Sequence, residues 1–262
     1  MWMPSNPQVA KACDSVGTPW VLSIHGMLDD WCMDQRGLKK QFYLATAGRI
    51  MLRGANTFLS TAEEEKRQAS RWLKHDNVAV IPYIVDLEPY KELPTPEEAI
   101  EAFGQSDCPT VLFLSRVHEK KSIETLIDST ALLKEKGKPI RVLIAGTGED
   151  AYVASLKTRA EAAGVSADII FLGMVVGDLK LSLYAMADVF ALPTQQENFG
   201  LVYPEALLCG TPVIGTKGTD IWRELEEGGA VIDFNPPGTM AHGSPEFTKN
   251  LAEEMEEGEL AH

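Results

Sequence analysis

Two glutamates, Glu197 and Glu205, stand eight residues apart in the run Q-E-N-F-G-L-V-Y-P-E-A-L-L-C-G at 196–210. Glu197 follows an apolar run at 188–192 and the turn residue Pro193, which reads as a buried strand ending in a loop. Glu205 lies among Leu201, Val202, Leu208 and Cys209 at helical spacing, and that stretch stops at Gly210. A helix beginning near Phe199 leaves its first N–H groups unpaired, with the positive end of its dipole beside Glu197. In an open α/β sheet that end faces the crevice at the carboxyl edge of the strands. Such a helix start suits phosphate oxygens, and flanking carboxylates suit sugar hydroxyls. On spacing alone a plainer reading is favoured, with Glu197 as a cap and Glu205 as an ordinary solvated residue.

Other residues fit the same crevice. Arg116 and Lys121 follow an apolar run at 110–114, in S-R-V-H-E-K-K-S, where a strand hands over to a helix. Two cations there can neutralise a diphosphate and the charge that grows on it as it leaves. They can equally be loop charges in water, which is how Lys120 reads. The glycines of I-A-G-T-G-E-D at 144–150 form half of a dinucleotide fingerprint without its third glycine, so turn geometry is their better-supported role. His25 ends another strand-like run, at a position where a structural hydrogen bond is the commoner use. No D-x-D, H-E-x-x-H, G-x-S-x-G or P-loop pattern occurs.

These residues need elements to hold them. Strand-like and helix-like segments alternate, which implies parallel sheets with crossover helices. Strands are expected at 19–24, 55–59 and 78–82, with helical stretches over 31–53 and 62–74. An acidic, proline-bearing stretch at 91–108 reads as a linker containing a short helix at 96–103. Beyond it, strands at 110–114, 140–145, 168–172, 188–192, 212–215 and 230–232 alternate with helices at 121–136, 151–163, 178–187 and 201–209. The domains expected are therefore 1–90 and 109–236, with an acidic tail at 237–262 that includes a helix over 246–257.

The 262-residue chain carries a net charge of −14. Its first ninety residues hold ten basic and ten acidic side chains, so the deficit lies wholly in the remainder. That balance argues against general nucleic-acid binding, which needs a basic face. Four scattered cysteines, Cys13, Cys32, Cys108 and Cys209, show no zinc spacing and read as reduced thiols of a cytoplasmic protein. No apolar run approaches the ~18 residues of a spanning helix. Peripheral contact with the inner membrane face stays open.

In order along the chain, S-I-H-G-M-L-D-D-W at 23–31, L-S-T-A-E-E-E at 59–65, L-F-L-S-R-V-H-E-K-K at 112–121, I-A-G-T-G-E at 144–149, the Glu197–Glu205 block and G-T-P-V-I-G-T-K-G-T at 210–219 resemble the family 4 glycosyltransferases. The resemblance covers about residues 1–236. It implies a GT-B-like α/β fold: one nearly complete Rossmann-like doubly wound domain preceded by a partial Rossmann-like domain. It also implies retaining transfer of a sugar from a nucleotide-diphosphate sugar to a saccharide or lipid-linked acceptor, in polysaccharide or glycoconjugate synthesis.

Carried over by the resemblance, Arg116 and Lys121 hold the diphosphate and Glu197 meets the donor sugar. The Phe199, Gly200 and Leu201 backbone lies beside sugar and phosphates, Glu205 binds the ribose, and His25 lines the reaction centre. No metal or other cofactor is implied. The chain departs from the family at Tyr83 and Ile84, where asparagine or histidine and glycine are usual, and at Ser122, where glycine is usual. The resemblance also begins partway into the family's first domain, so a truncated member, or one completed by a partner polypeptide, is expected. Two other readings stay open: a non-catalytic remnant that binds nucleotide sugar or a partner, and an epimerase of the same fold.

Overall fold

The computed structural model describes residues 2–73, 77–227, 231–234, 248–249, 251–253 and 255. The chain divides into two compact units, Met1–Ile84 with Glu197–Phe199, and Val85–Gln196 with Gly200–His262.

The first unit holds a three-stranded sheet of β1 (Val21–Ser23), β2 (Thr57–Ser60) and β3 (Val78–Val80), all parallel and in that order. Its helices are α1 (Ser5–Ser15), α2 (Asp30–Asp34), α3 (Gly37–Ala45), α4 (Arg49–Gly54) and α5 (Glu63–Ala69). Ile24, Leu28, Met33, Leu44, Met51, Phe58 and Leu73 make the core between sheet and helices.

The sequence pattern assigns no element to 5–15, yet α1 forms there. Pro7 sits in its first turn, where the missing N–H has no intrahelical acceptor to lose. The helical stretch expected over 31–53 is three helices. Arg36 adopts the left-handed conformation at φ 57° before α3, and Thr46 leaves helical geometry after it. The polar run Asp34-Gln35-Arg36-Gly37 marks the first break and Gly48 the second, local signals that a single expected stretch passes over.

The second unit opens with α6 (Glu97–Phe103), whose buried Ala99 donates its N–H to Ser182 Oγ at 2.9 Å. A six-stranded sheet follows, built from β4 (Thr110–Leu114), β5 (Arg141–Ala145), β6 (Ile169–Gly173), β7 (Val189–Ala191), β8 (Val213–Thr216) and β9 (Val231–Phe234). The spatial order is β6-β5-β4-β7-β8-β9 and every pairing is parallel. The helices between them are α7 (Ile123–Glu135), α8 (Asp150–Ala162), α9 (Asp178–Met186), α10 (Val202–Leu208) and α11 (Trp222–Glu227), the last unassigned from the sequence.

Strands buried on both faces read as continuous apolar runs, and Val111, Leu112, Phe113, Val142, Leu143 and Ile144 are all 1% exposed or less. Phe190 on β7 is flanked by the rings of Tyr184 and Tyr203, each 5.7 Å away. The Tyr203 hydroxyl donates to Leu192 O at 3.2 Å, which ties α10 to the end of β7.

Of the helix expected over 246–257, residues 248–249, 251–253 and 255 are helical, with Leu251, Ala252 and Met255 fully buried. The remainder of that stretch, and the domain end expected near 236, lie outside the described residues. Among the described residues no helix is long and apolar enough to cross a membrane.

Candidate functional site

Strand order reverses at β4: the chain moves outward through β5 and β6, then returns to place β7 on the other side of β4. Crossovers on the two sides leave by opposite faces, so the loops after β4 and β7 open a crevice at the carboxyl edge. Those loops are bonded to each other. Gln195 N–H donates to Lys120 O at 2.8 Å, and Lys120 Nζ donates to Gln196 Oε1 at 2.5 Å. Lys120 is thus half-buried and joins the two loops, in place of the solvated charge its sequence context implies.

Arg116 and Lys121 both belong to the β4 loop but differ in setting. Arg116 is exposed, while Lys121 is 3% exposed. Between Lys121 and α7, Ser122 takes φ 52° and ψ 43°, the left-handed region that costs a side-chain-bearing residue about 1–2 kcal/mol. Glycine avoids that strain but loses more freedom on folding. Ser122→Gly is therefore expected to raise stability by about 0.5–1 kcal/mol, read as a higher denaturant midpoint with an unchanged slope; a lower midpoint would assign the gain to the Ser122 hydroxyl instead.

Gly146 and Gly148 do more than turn the chain. Each lies against the β4 loop: Val117 N–H donates to Thr147 O at 2.9 Å, and Val117 bridges Gly148 in parallel. A Cβ at Gly146 would overlap the Ser115 carbonyl oxygen, and one at Gly148 the Val117 carbonyl oxygen. The two glycines let the loop carrying Arg116 run alongside the loop after β5.

The helix following β7 runs from Val202 to Leu208, inside the 201–209 expected from the pattern and three residues past Phe199, and spans only seven residues with no side-chain cap. Gly200 at φ 69° and the exposed Leu201 precede it. Glu205, on its first turn, is not a solvated surface carboxylate. Its Oε1 pairs with Lys180 Nζ at 2.8 Å and its Oε2 accepts from the Tyr184 hydroxyl at 3.2 Å. Burial and then the charge of Glu205 push the Tyr90 phenol up to about 12. The same two causes push the Cys209 thiol up to about 11, against an opposing pull from Lys180. Glu205 thus sits in a half-buried cluster of Lys180, Tyr184, Tyr90 and Cys209, with both carboxylate oxygens anchored and lone pairs remaining for two more hydroxyl donors. Lys180 and Tyr184 are invisible as partners in the sequence, 25 and 21 residues upstream.

Glu197, Asn198 and Phe199 group with the first unit. Asn198 Oδ1 accepts from Thr61 Oγ1 at 3.3 Å, and the Phe199 ring stands edge-on to Tyr83 with centroids 5.3 Å apart. In the same unit His25 follows β1 at φ 49°. Its Nε2 bonds Ser23 Oγ at 2.7 Å, its Nδ1 bonds the Tyr83 hydroxyl at 2.8 Å, and its ring stacks on Tyr83. Tyr83 is therefore a direct partner of His25. Among the described residues no group of three or more His, Cys, Asp or Glu side chains is placed to hold a metal ion.

Comparison with known proteins agrees on one family. Residues 95–256 match the model for glycosyl transferases group 1. The chain is 33% identical over 176 residues to the D-inositol 3-phosphate glycosyltransferase of Corynebacterium urealyticum, covering 63% of this chain and 41% of that protein. It is 30% identical over 142 residues to the GDP-mannose-dependent alpha-(1-6)-phosphatidylinositol monomannoside mannosyltransferase of Mycolicibacterium smegmatis, covering 51% of this chain and 37% of that protein. The chain thus spans less than half the length of these relatives.

Among solved structures it is similar to Anabaena Alr3699/HepE, crystallised with UDP, at a TM-score of 0.79 and 21% identity over 96% of this chain and 65% of that one. It is also similar to WaaG, a glycosyltransferase involved in lipopolysaccharide biosynthesis, at a TM-score of 0.67 and 15% identity over 97% and 77%. These likenesses show the α/β fold to be that of the GT-B glycosyltransferases. The family match spans the sheet from β4 to β9 together with both loops of the crevice, and the chain belongs to the glycosyl transferases group 1 family.

Proposed function

We propose that the chain serves a retaining sugar transfer of the family 4 type, from a nucleotide-diphosphate sugar to a saccharide or lipid-linked acceptor. The observation that carries this reading is the bonded pair of loops at the strand-order reversal, with Arg116 and Lys121 on one and the approach to Glu205 on the other. In this reading Arg116 and Lys121 neutralise the diphosphate and the charge that builds on it as the glycosidic bond lengthens. Backbone N–H groups around Phe199, Gly200 and Leu201 lie against sugar and phosphates. Glu205 accepts from the ribose hydroxyls, Glu197 meets the sugar, and His25 faces the reacting carbon. The reading assigns no metal, because the two side-chain cations supply the positive charge at the leaving group. UDP in the HepE crystal and GDP-mannose in the mycobacterial relative's name support a nucleotide-sugar donor of this kind.

Calorimetric titration of the whole chain with UDP, GDP and ADP tests the reading. One diphosphate is expected to bind, and Arg116→Ala is expected to weaken it by about 10- to 100-fold, the value of a charged hydrogen bond to phosphate. Unchanged affinity in a folded Arg116→Ala variant would remove the diphosphate clamp. Binding with no sugar transfer to any acceptor would favour a non-catalytic remnant.

A further inference from the structure

We propose that Glu65 is the positioning residue for His25, a role that rests on the reading above only in placing His25 at the reaction centre. Glu65 is 1% exposed, on the first turn of α5. Its Oε1 accepts the Gly26 N–H at 2.6 Å, and its Oε2 accepts the Thr61 N–H at 2.6 Å and the Thr61 hydroxyl at 3.0 Å. A buried carboxylate with these three bonds is fixed, and it fixes what it touches.

What it touches is a backbone that needs holding. His25 and Gly26 are consecutive residues with positive φ, 49° and 67°. Positive φ is uncommon for a residue with a side chain, even for histidine, which adopts it more often than most. The Gly26 N–H is one end of the peptide joining the two residues, so the bond to Glu65 sets the plane of that peptide and the direction in which His25 leaves the chain.

The ring is then held separately, by Ser23 at Nε2 and Tyr83 at Nδ1. Both partners are hydroxyls that can donate or accept, so neither alone selects a tautomer. Glu65 therefore acts on His25 through the peptide plane, while Ser23 and Tyr83 hold the ring itself.

The test reads the His25 ring nitrogens by long-range 1H–15N correlation in the whole chain, with His25→Asn used to identify the signals. Glu65→Gln keeps the size of the side chain but turns an amide NH2 toward one of the two backbone N–H groups. It is expected to shift the His25 nitrogens and change their tautomer balance, and to lower kcat at least tenfold while the nucleoside diphosphate Kd stays within twofold. Should Glu65→Gln fail to fold, Thr61→Val removes the hydroxyl bond to the carboxylate together with the 3.3 Å bond to Asn198; a smaller shift of the same signals is expected there, and none in Asn198→Ala, which removes the second bond alone. His25 signals unchanged in a folded variant would overturn the proposal. Shifted signals with unchanged kcat would uphold Glu65 as the residue that orients His25 and would instead remove His25 from the reaction centre.

Discussion

Gly146→Ala is expected to cost the second unit at least about 3 kcal/mol, seen as a collapse of the denaturant midpoint. Two effects add. Gly146 sits at φ 141°, a conformation that strains an L-residue by about 1–3 kcal/mol, and its new Cβ would overlap the Ser115 carbonyl oxygen. Relief requires the β4 and β5 loops to separate, which breaks the bonds from Ser115 N–H to Ala145 O at 3.1 Å and from Val117 N–H to Thr147 O at 2.9 Å and displaces Arg116. Gly164→Ala is the control. Gly164 also has positive φ, 71°, but nothing lies within 4 Å of the added carbon. It is expected to cost only about 1 kcal/mol, the left-handed strain alone. Equal losses in the two variants would show that close approach between the loops contributes nothing.

Glu205→Ala is expected to weaken nucleoside diphosphate binding by about 30- to 150-fold, equivalent to about 2–3 kcal/mol of charged hydrogen bonding. The loss should be specific to the sugar of the nucleotide. The folded chain is expected to prefer a ribonucleoside diphosphate over its 2′,3′-dideoxy analogue, and the preference should vanish in Glu205→Ala; the cycle isolates the pairwise contribution. A preference that survives would assign the ribose to another residue. Lys180→Met separates anchoring from contact, because it frees Oε1 while leaving the carboxylate in place. A partial loss of the same preference is the expected result.

The central strands were legible because they are buried on both faces, so β4 and β5 appear as unbroken apolar runs bounded by polar residues. The placement of the candidate site residues was legible, since Arg116, Lys121 and Glu205 sit at strand ends or helix starts that local pattern marks. Its partners were not. Glu63, Glu64 and Glu65 are the same letter three times, yet Glu63 is exposed and pairs with Lys66, Glu64 pairs with Arg67, and Glu65 is buried against Gly26. The bond that distinguishes Glu65 spans 39 residues, so no local window contains it. Lys180 and Lys120 are hidden for the same reason, since their partners lie 25 and 76 residues away. Helix α11 carries three acidic residues in six and buries Leu225, too little apolar signal to mark a helix.

Among the described residues every strand pairing in both sheets is parallel, so none of these pairings can be closed by a hairpin. Strand β4 meets β5 across a separation of 31 residues but gains its other neighbour, through Thr110 and Asp188, only across 78. During synthesis half of its ladder waits, uncovered, until β7 has emerged. Chains whose contacts are this distant in sequence fold slowly and expose apolar edges on the way. The same reversal of strand order that opens the crevice delays the closing of its floor until β5 and β6 have both been made.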